Sequence, residues 1–261
     1  MALQQLQIDS RVDTKDNVHP LSSRLLSSVD INHDDNCRAC DTRNGCLALQ
    51  LVDDDVPISD NRHIYHRGEH VFYEGDTADT IYVVRSGSVK TYLITEDGEE
   101  QVFGFYMAGD VLGLEGIGER GRQLSAQALE TTSLCKLPAI QFAASNHGHG
   151  LLELVSEQMA RNYNLVLLLA KKDADARIAS LLCDLSQRFE RHGYAADSFN
   201  LSMSRIDIGS YLGLAIETVS RTFRRLQEAG VLNVERRKIE IKDESKLQAI
   251  AGYMVSHDFS T

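Results

Sequence analysis

SRIDIGSYLGLAIETVSRTFRRLQEAGVL, residues 204–232, decides how the C-terminal third of this chain folds. Ile206, Ile208 and Leu212 are expected to pack inward from one short helix. Gly213 then supplies a tight turn, where a backbone without Cβ can bend sharply. A second helix is expected to begin at Ile216 and to turn Val219, Phe223 and Leu226 inward. Glu217, Ser220, Arg221 and Arg224 share its outer face at spacings of three and four. Apolar residues that hold two helices together, with polar groups on the first half of the second, make a helix-turn-helix that can reach base edges. Gly230 ends the helix, and VLNVERRKIEI is expected to form a two-stranded wing turning at Glu235–Arg237.

The outer face has the chemistry of base readout. Arg221 can donate two hydrogen bonds to guanine O6 and N7, Glu217 can accept from cytosine N4, and Ser220 can touch a base edge or a thymine methyl. Arg205, Arg224, Arg236 and Lys238 suit phosphate contacts, which position a protein on DNA without specifying sequence. Net charge over the 261 residues is -11, which argues against indiscriminate nucleic-acid binding. Residues 205–242 nevertheless hold eight basic against five acidic side chains, a local basic footprint on an acidic chain. A solvated face with incidental charge is the competing reading. The agreement of glycine turn, two apolar faces, basic wing and charge asymmetry disfavours it.

Upstream, ADARIASLLCDLSQRFERHG is amphipathic, with Ile178, Leu181, Leu182, Leu185 and Phe189 on one face and Cys183 as a small apolar filler. Before it, residues 151–172 are expected to form a long helix of roughly 33 Å. Leu152, Val155, Met159, Asn162, Val166 and Leu169 follow a heptad stripe, predicted to be the seam of a homodimer. Leu165 and Leu168 lie off the stripe and can pack on the preceding domain. From about Arg62, short alternating runs are punctuated by Gly68, Gly75, Gly87, Gly98 and Gly109, and the pattern continues to Pro138. That is the texture of antiparallel strands in a barrel or jelly roll. The expected organisation is a flexible tail over 1–36, a cysteine segment and β-roll over 37–150, a dimerisation helix over 151–175 and a winged helix-turn-helix over 176–261. The fold class is α+β. With no apolar run near membrane-span length and no basic flank leading into an apolar segment, a cytoplasmic protein without a membrane partner is expected.

CRACDTRNGC, residues 37–46, holds three of the five cysteines, Cys37, Cys40 and Cys46. C-x2-C alone suits zinc, a redox dithiol or an iron–sulfur site. A second C-x2-C pair is missing, and His33, His63 and His66 lack finger-like spacing. Three close thiols and one distant thiol could ligate a [4Fe–4S] cluster, and Cys135 in ALETTSLCKLP is the distant one available in the N-terminal half. Spacing alone leaves cluster, zinc and dithiol open.

The order of glycine-punctuated roll, long helix and winged helix-turn-helix resembles the cyclic-AMP receptor protein superfamily. The C-x2-C-x5-C before the roll, with the Cys inside ALETTSLC, resembles its FNR branch of anaerobic regulators. Residues 85–113, 167–180 and 208–221 carry further likeness, and the resemblance spans roughly Cys37 to Gly252. It implies that Cys37, Cys40, Cys46 and Cys135 hold an oxygen-labile [4Fe–4S] cluster. It implies that Glu217, Ser220 and Arg221 read a TTGAT-type half-site of a palindrome, bound as a homodimer. It also implies contact with RNA polymerase, for which the turn around Asp110–Gly118 is expected to be an exposed candidate.

Two departures qualify it. Cyclic-nucleotide binders carry an Arg-Ser pair for the phosphate, whereas Gln123 and Leu124 follow Arg122 here, so a cyclic nucleotide is not expected. FNR-type proteins are expected to carry an acidic residue near Asn162, whose repulsion helps keep the cluster-free form monomeric. With Asn, full dissociation in air is not expected. The expected function is an oxygen-responsive transcription regulator, and no residue set implies an enzyme. A thiol or zinc redox sensor, or a small-effector-gated regulator on the same scaffold, is the alternative.

Overall fold

The computed structural model describes residues 62–116, 121–139 and 148–252, with side chains on the last segment from Leu152 onward. Among the described residues, eight strands form the N-terminal roll: β1 (Arg62–Tyr65), β2 (His70–Phe72), β3 (Thr80–Ser86), β4 (Ser88–Ile94), β5 (Glu100–Met107), β6 (Val111–Leu112), β7 (Ser125–Ala128) and β8 (Thr132–Pro138). They make two four-stranded antiparallel sheets, ordered β1-β8-β3-β6 and β2-β7-β4-β5. Tyr65, Phe72, Tyr82, Val84, Val89, Leu112 and Leu134 fill the space between them.

All five glycines of the sequence pattern have positive φ. Gly87 shows why. It turns β3 into β4 at φ +82°, and a Cβ there would lie 2.5 Å from the Thr131 carbonyl oxygen. Gly98, in the β4–β5 turn at the same φ, has nothing within 4 Å. Gly98→Ala should therefore cost only left-handed strain, about 1–3 kcal/mol, and Gly87→Ala more than that because the clash adds. Paired thermal melts would show it, and equal midpoints would refute the packing argument.

A 23-residue helix, α1 (Gly148–Ala170), follows the roll. It starts three residues before the predicted span and stops two before its end, because the chain is extended at Asp173 ahead of α2 (Ala174–Arg191). Then come β9 (Ser198–Asn200), α3 (Arg205–Leu212), α4 (Ile216–Glu228), β10 (Leu232–Glu235), β11 (Lys238–Ile241) and α5 (Glu244–Ala251). The wing is three-stranded, β10-β11-β9. The short SFN run of β9 has too few residues to show an alternation, which is why the sequence did not reveal it.

The inward face of α3 differs from the sequence expectation. Ile208 and Leu212 are fully buried, but Ile206 is 68% exposed. The helix turns Arg205, Ile208, Gly209 and Leu212 toward α4, and Ile206 lies about 100° away from Arg205 around the axis.

One apolar core crosses from the roll into the C-terminal domain. Tyr92, Val102, Phe105, Met107 and Leu129 of the roll share it with Leu168 of α1, with Ile178, Leu182 and Leu185 of α2, and with the helix-turn-helix interior. Leu165 packs against the same core. Cys183 is packed in it too, and burial pushes its thiol up to about 11, as befits an unreactive filler. Among the described residues no helix is long and apolar enough to cross a membrane.

Candidate nucleic-acid interface and sensory junction

Ser204 caps α3. Its hydroxyl accepts from the Asp207 N–H at 3.1 Å, and its own N–H donates to the Asp207 carboxylate at 2.8 Å. The left-handed Gly213, at φ +62°, closes the helix and starts the turn into α4. On α4, Val219, Thr222, Phe223 and Leu226 are buried. Glu217, Ser220, Arg221 and Arg224 are exposed as expected, and Ile216, Glu217, Ser220 and Arg221 line an open hollow at the helix's leading end.

The basic residues divide by environment. Arg224 pairs with Glu228 at 2.8 Å on the surface, and the Arg221 Nε donates to the Glu217 carbonyl at 3.3 Å. Arg236 and Lys238 are exposed on the wing, with Arg236 in the left-handed region at the turn. Arg205 is different. Its guanidinium lies 3.5 Å from the Phe223 ring centroid, so it packs the two helices together. Arg225 turns away from the outer face to bond Asp175 on α2.

The roll grips the first helix of this unit. Lys90, 5% exposed on β4, donates to Asp207 at 2.9 Å and also to Glu100. Burial raises the Asp207 carboxyl, and the bonds from Lys90 and Ser204 outweigh it and hold the group below its usual range. The Val102 N–H donates to the Ser210 hydroxyl at 2.8 Å, that hydroxyl donates to the Glu100 carbonyl at 2.6 Å, and Gln101 donates to the Ser210 carbonyl at 2.7 Å. These contacts join residues more than a hundred positions apart, and no local sequence signal marks them.

The turn around Asp110 is a second junction, and it corrects an expectation. Asp110 is 1% exposed and the chain from Val111 to Gly116 is buried or half-buried, so these residues are not the exposed turn expected to face RNA polymerase; residues 117 and 118 lie outside the described residues. A carboxylate buried this deeply needs charged partners. Arg161 of α1 donates to it at 2.6 Å, Arg188 of α2 donates to its other oxygen, and the Met107 N–H donates at 2.7 Å. Burial pushes the Asp110 carboxyl up, but the two guanidiniums hold it well below the usual carboxylate range.

Cys135 lies on β8, half-buried, opposite Arg62 on β1 and Val83 on β3. Val84, the next residue, exchanges backbone bonds with the Asp110 turn: its N–H donates to the Asp110 carbonyl at 2.9 Å, and its carbonyl accepts from Gly109 at 2.7 Å. Cys37, Cys40 and Cys46 lie outside the described residues. Among the described residues no three His, Cys, Asp or Glu gather as a metal site. Cys135 fits a soft-metal centre: it is a reachable thiol on a strand, directly opposite the point where the chain from the cysteine segment enters the roll. Fifteen residues lie between Cys46 and Arg62 in the sequence, ample reach for the four sulfurs to converge.

Arg122 settles inside the roll. It is 2% exposed, donates to the Gly113 carbonyl at 2.8 Å and to the Thr80 carbonyl, and stacks 4.4 Å from the Phe72 ring centroid. Its two terminal nitrogens are thus committed to structural partners. The predicted seam of α1 is outward: Leu152, Val155, Met159, Asn162, Val166 and Leu169 are all exposed, Val166 at 64%.

A strand roll joined through a long helix to a winged helix-turn-helix defines a DNA-binding transcription regulator of the CRP/FNR class. The comparisons agree. Residues 176–250 match the Crp-like helix-turn-helix domain, and residues 62–144 match the cyclic nucleotide-binding domain. The chain is 40% identical over 225 residues to the transcriptional activator protein anr of Pseudomonas aeruginosa, covering 83% of this chain and 92% of that protein. It is 35% identical over 226 residues to the fumarate and nitrate reduction regulatory protein of Escherichia coli, covering 83% and 90%. The solved structure of FixK2 from Bradyrhizobium japonicum superposes with a TM-score of 0.65 at 29% identity, covering 73% of this chain and 96% of that one. The chain belongs to the Fnr/Anr family of transcription regulators. Those relatives are regulators and not enzymes.

Proposed function

We propose that the protein is an oxygen-responsive transcription activator that binds a palindromic TTGAT-type site as a homodimer and works with RNA polymerase. Cys37, Cys40, Cys46 and Cys135 would hold a [4Fe–4S] cluster. When bound, that group supplies an oxygen-labile inorganic core. The observation that carries the reading is the position of Cys135, one hydrogen-bonded strand from the turn whose carboxylate grips both α1 and α2. The chain's residues would then convert tethering of the N-terminal segment at β8 into a set position of Arg161 and hence of α1. The exposed stripe of α1 would close against its copy in a second subunit. Two α4 helices would enter successive major grooves, about 34 Å apart. The names of the relatives support activation of transcription.

Anaerobic purification tests the sensor. Brown protein with absorbance near 400 nm, iron and acid-labile sulfide, bleaching in air, supports it. Colourless protein with stoichiometric zinc would replace it with the thiol–metal alternative. The readout surface is tested separately by Arg221→Ala. Loss of one bidentate guanine contact should cost about 1–3 kcal/mol per half-site and relax preference at that base. Fluorescence anisotropy on a labelled palindrome, against versions changed at that pair, measures both. Undiminished selectivity would reassign the reading residue.

A further inference from the structure

A cavity of about 350 Å³ lies between the roll and the C-terminal domain, with no α4 residue on its lining. That volume is in the range of small-ligand pockets. Leu185 and Phe189 of α2, Phe199, Leu201 and Met203 of the β9 segment, and Met107 of β5 give it an apolar lining. Phe189 and Phe199 stack at 4.9 Å, and Tyr194 meets Phe189 edge-on at 6.2 Å, so one wall is an aromatic surface. The β3–β4 turn, Ser86 to Ser88, and Glu130 also line it.

Two polar groups on the lining are left over. Arg188 is 7% exposed, and its terminal nitrogens are used on Asp110, Asp184 and the Phe105 carbonyl, but its Nε is buried with no hydrogen-bond partner. The Nδ1 of His192 is buried with none either. Buried donors and acceptors are rarely left in this state in a folded protein. The charges around them decide what could satisfy them. Asp110 and Asp184 together balance the charges of Arg161 and Arg188, and Glu130, which accepts from the Ser88 hydroxyl at 2.8 Å, disfavours an anion. Burial keeps His192 toward its neutral form.

We propose that this cavity is an effector site for a small uncharged aromatic molecule carrying a carbonyl or phenolic oxygen. The ring stacks on the Phe189–Phe199 wall, and the oxygen accepts from the Arg188 Nε–H and bonds His192. Such an occupant touches the roll and the DNA-binding domain at once, so it stabilises their relative placement and adds a chemical input to the oxygen response proposed above.

The test uses the full-length protein with 4-hydroxyacetophenone as probe, benzoate as the charged control and cyclohexanol as the non-aromatic one. For about ten non-hydrogen atoms, saturable binding with Kd on the order of 0.1–1 mM is expected for the probe by ligand-observed NMR. Binding at least about ten times weaker is expected for both controls, the tenfold margin corresponding to the loss of a charge-compatible or stacking fit. Ala195→Trp, on the exposed rim, should fill the mouth and abolish binding; His192→Phe keeps the ring and should weaken it about fivefold through one lost hydrogen bond. A raised Tm of the wild type with probe, absent in Ala195→Trp, is the second readout. No saturable binding below 5 mM, or binding that survives Ala195→Trp unchanged, overturns the proposal, the limit being roughly fivefold above the weakest expected Kd. Neither readout involves iron or DNA, so failure here leaves the oxygen-sensing reading standing, and the reverse holds as well.

Discussion

Asp110→Ala should destabilise the protein by about 3–5 kcal/mol, lowering the thermal midpoint by about 6–20 °C. Among the described residues, the substitution removes the one carboxylate that bonds both Arg161 and Arg188 and leaves two poorly solvated guanidiniums facing each other. Arg188 keeps a 3.4 Å contact with Asp184 and its bond to Phe105, so Arg161 suffers more. Asp110→Asn, which keeps the shape and one acceptor, should fall between. The acid limb adds a signature. The folded Asp110 and Asp207 carboxyls both titrate below their ordinary 3.8, so their contribution is complete above that pH and is lost as the pH falls below it. Asp110→Ala should therefore show a shallower loss of stability below that value. Thermal melts across pH measure both, and a loss under about 1 kcal/mol would mean the buried ion pairs matter little.

Cys135→Ser should separate sensing from folding. Serine is nearly the size of cysteine, but its hydroxyl is a hard, weakly acidic donor and a poor ligand for a soft thiolate centre. On the proposed reading, anaerobically prepared Cys135→Ser lacks iron and acid-labile sulfide and binds its operator with one affinity in air and under argon. Wild type should differ between the two conditions by roughly 10- to 150-fold, the span of a typical coupling between sites. The cluster-free forms of both proteins should melt within about 0.5 kcal/mol of each other, because Cys135 is only half-buried. Full iron content in the variant, or a retained response to air, would remove Cys135 from the ligand set.

Much of the architecture is legible in the sequence. Glycines at about ten-residue intervals mark turns that need positive φ, and each one has it. The α4 pattern separates Val219, Phe223 and Leu226 from Glu217, Ser220 and Arg221, as helical spacing requires. Ile206 misled because three isoleucine and leucine positions in an eight-residue helix fit more than one face, and the choice was made by stacking of Arg205 on Phe223. Asp110 misled because an acidic residue beside a glycine reads as an exposed turn. Only its distant partners, 51 and 78 positions along the chain, make burial tolerable. The Lys90–Asp207 and Val102–Ser210 contacts were invisible for the same reason. Long-range polar pairs leave no periodicity behind.

The shared interior of Tyr92, Phe105, Met107, Ile178, Leu182 and Phe223 has a consequence for building chimaeras. A cut between the sensory and DNA-reading halves would bare oily surface on both fragments, so neither should stay soluble alone. Grafting this reader onto another sensor would require transplanting the matching seam residues with it. Heat or denaturant should melt both halves in a single cooperative step.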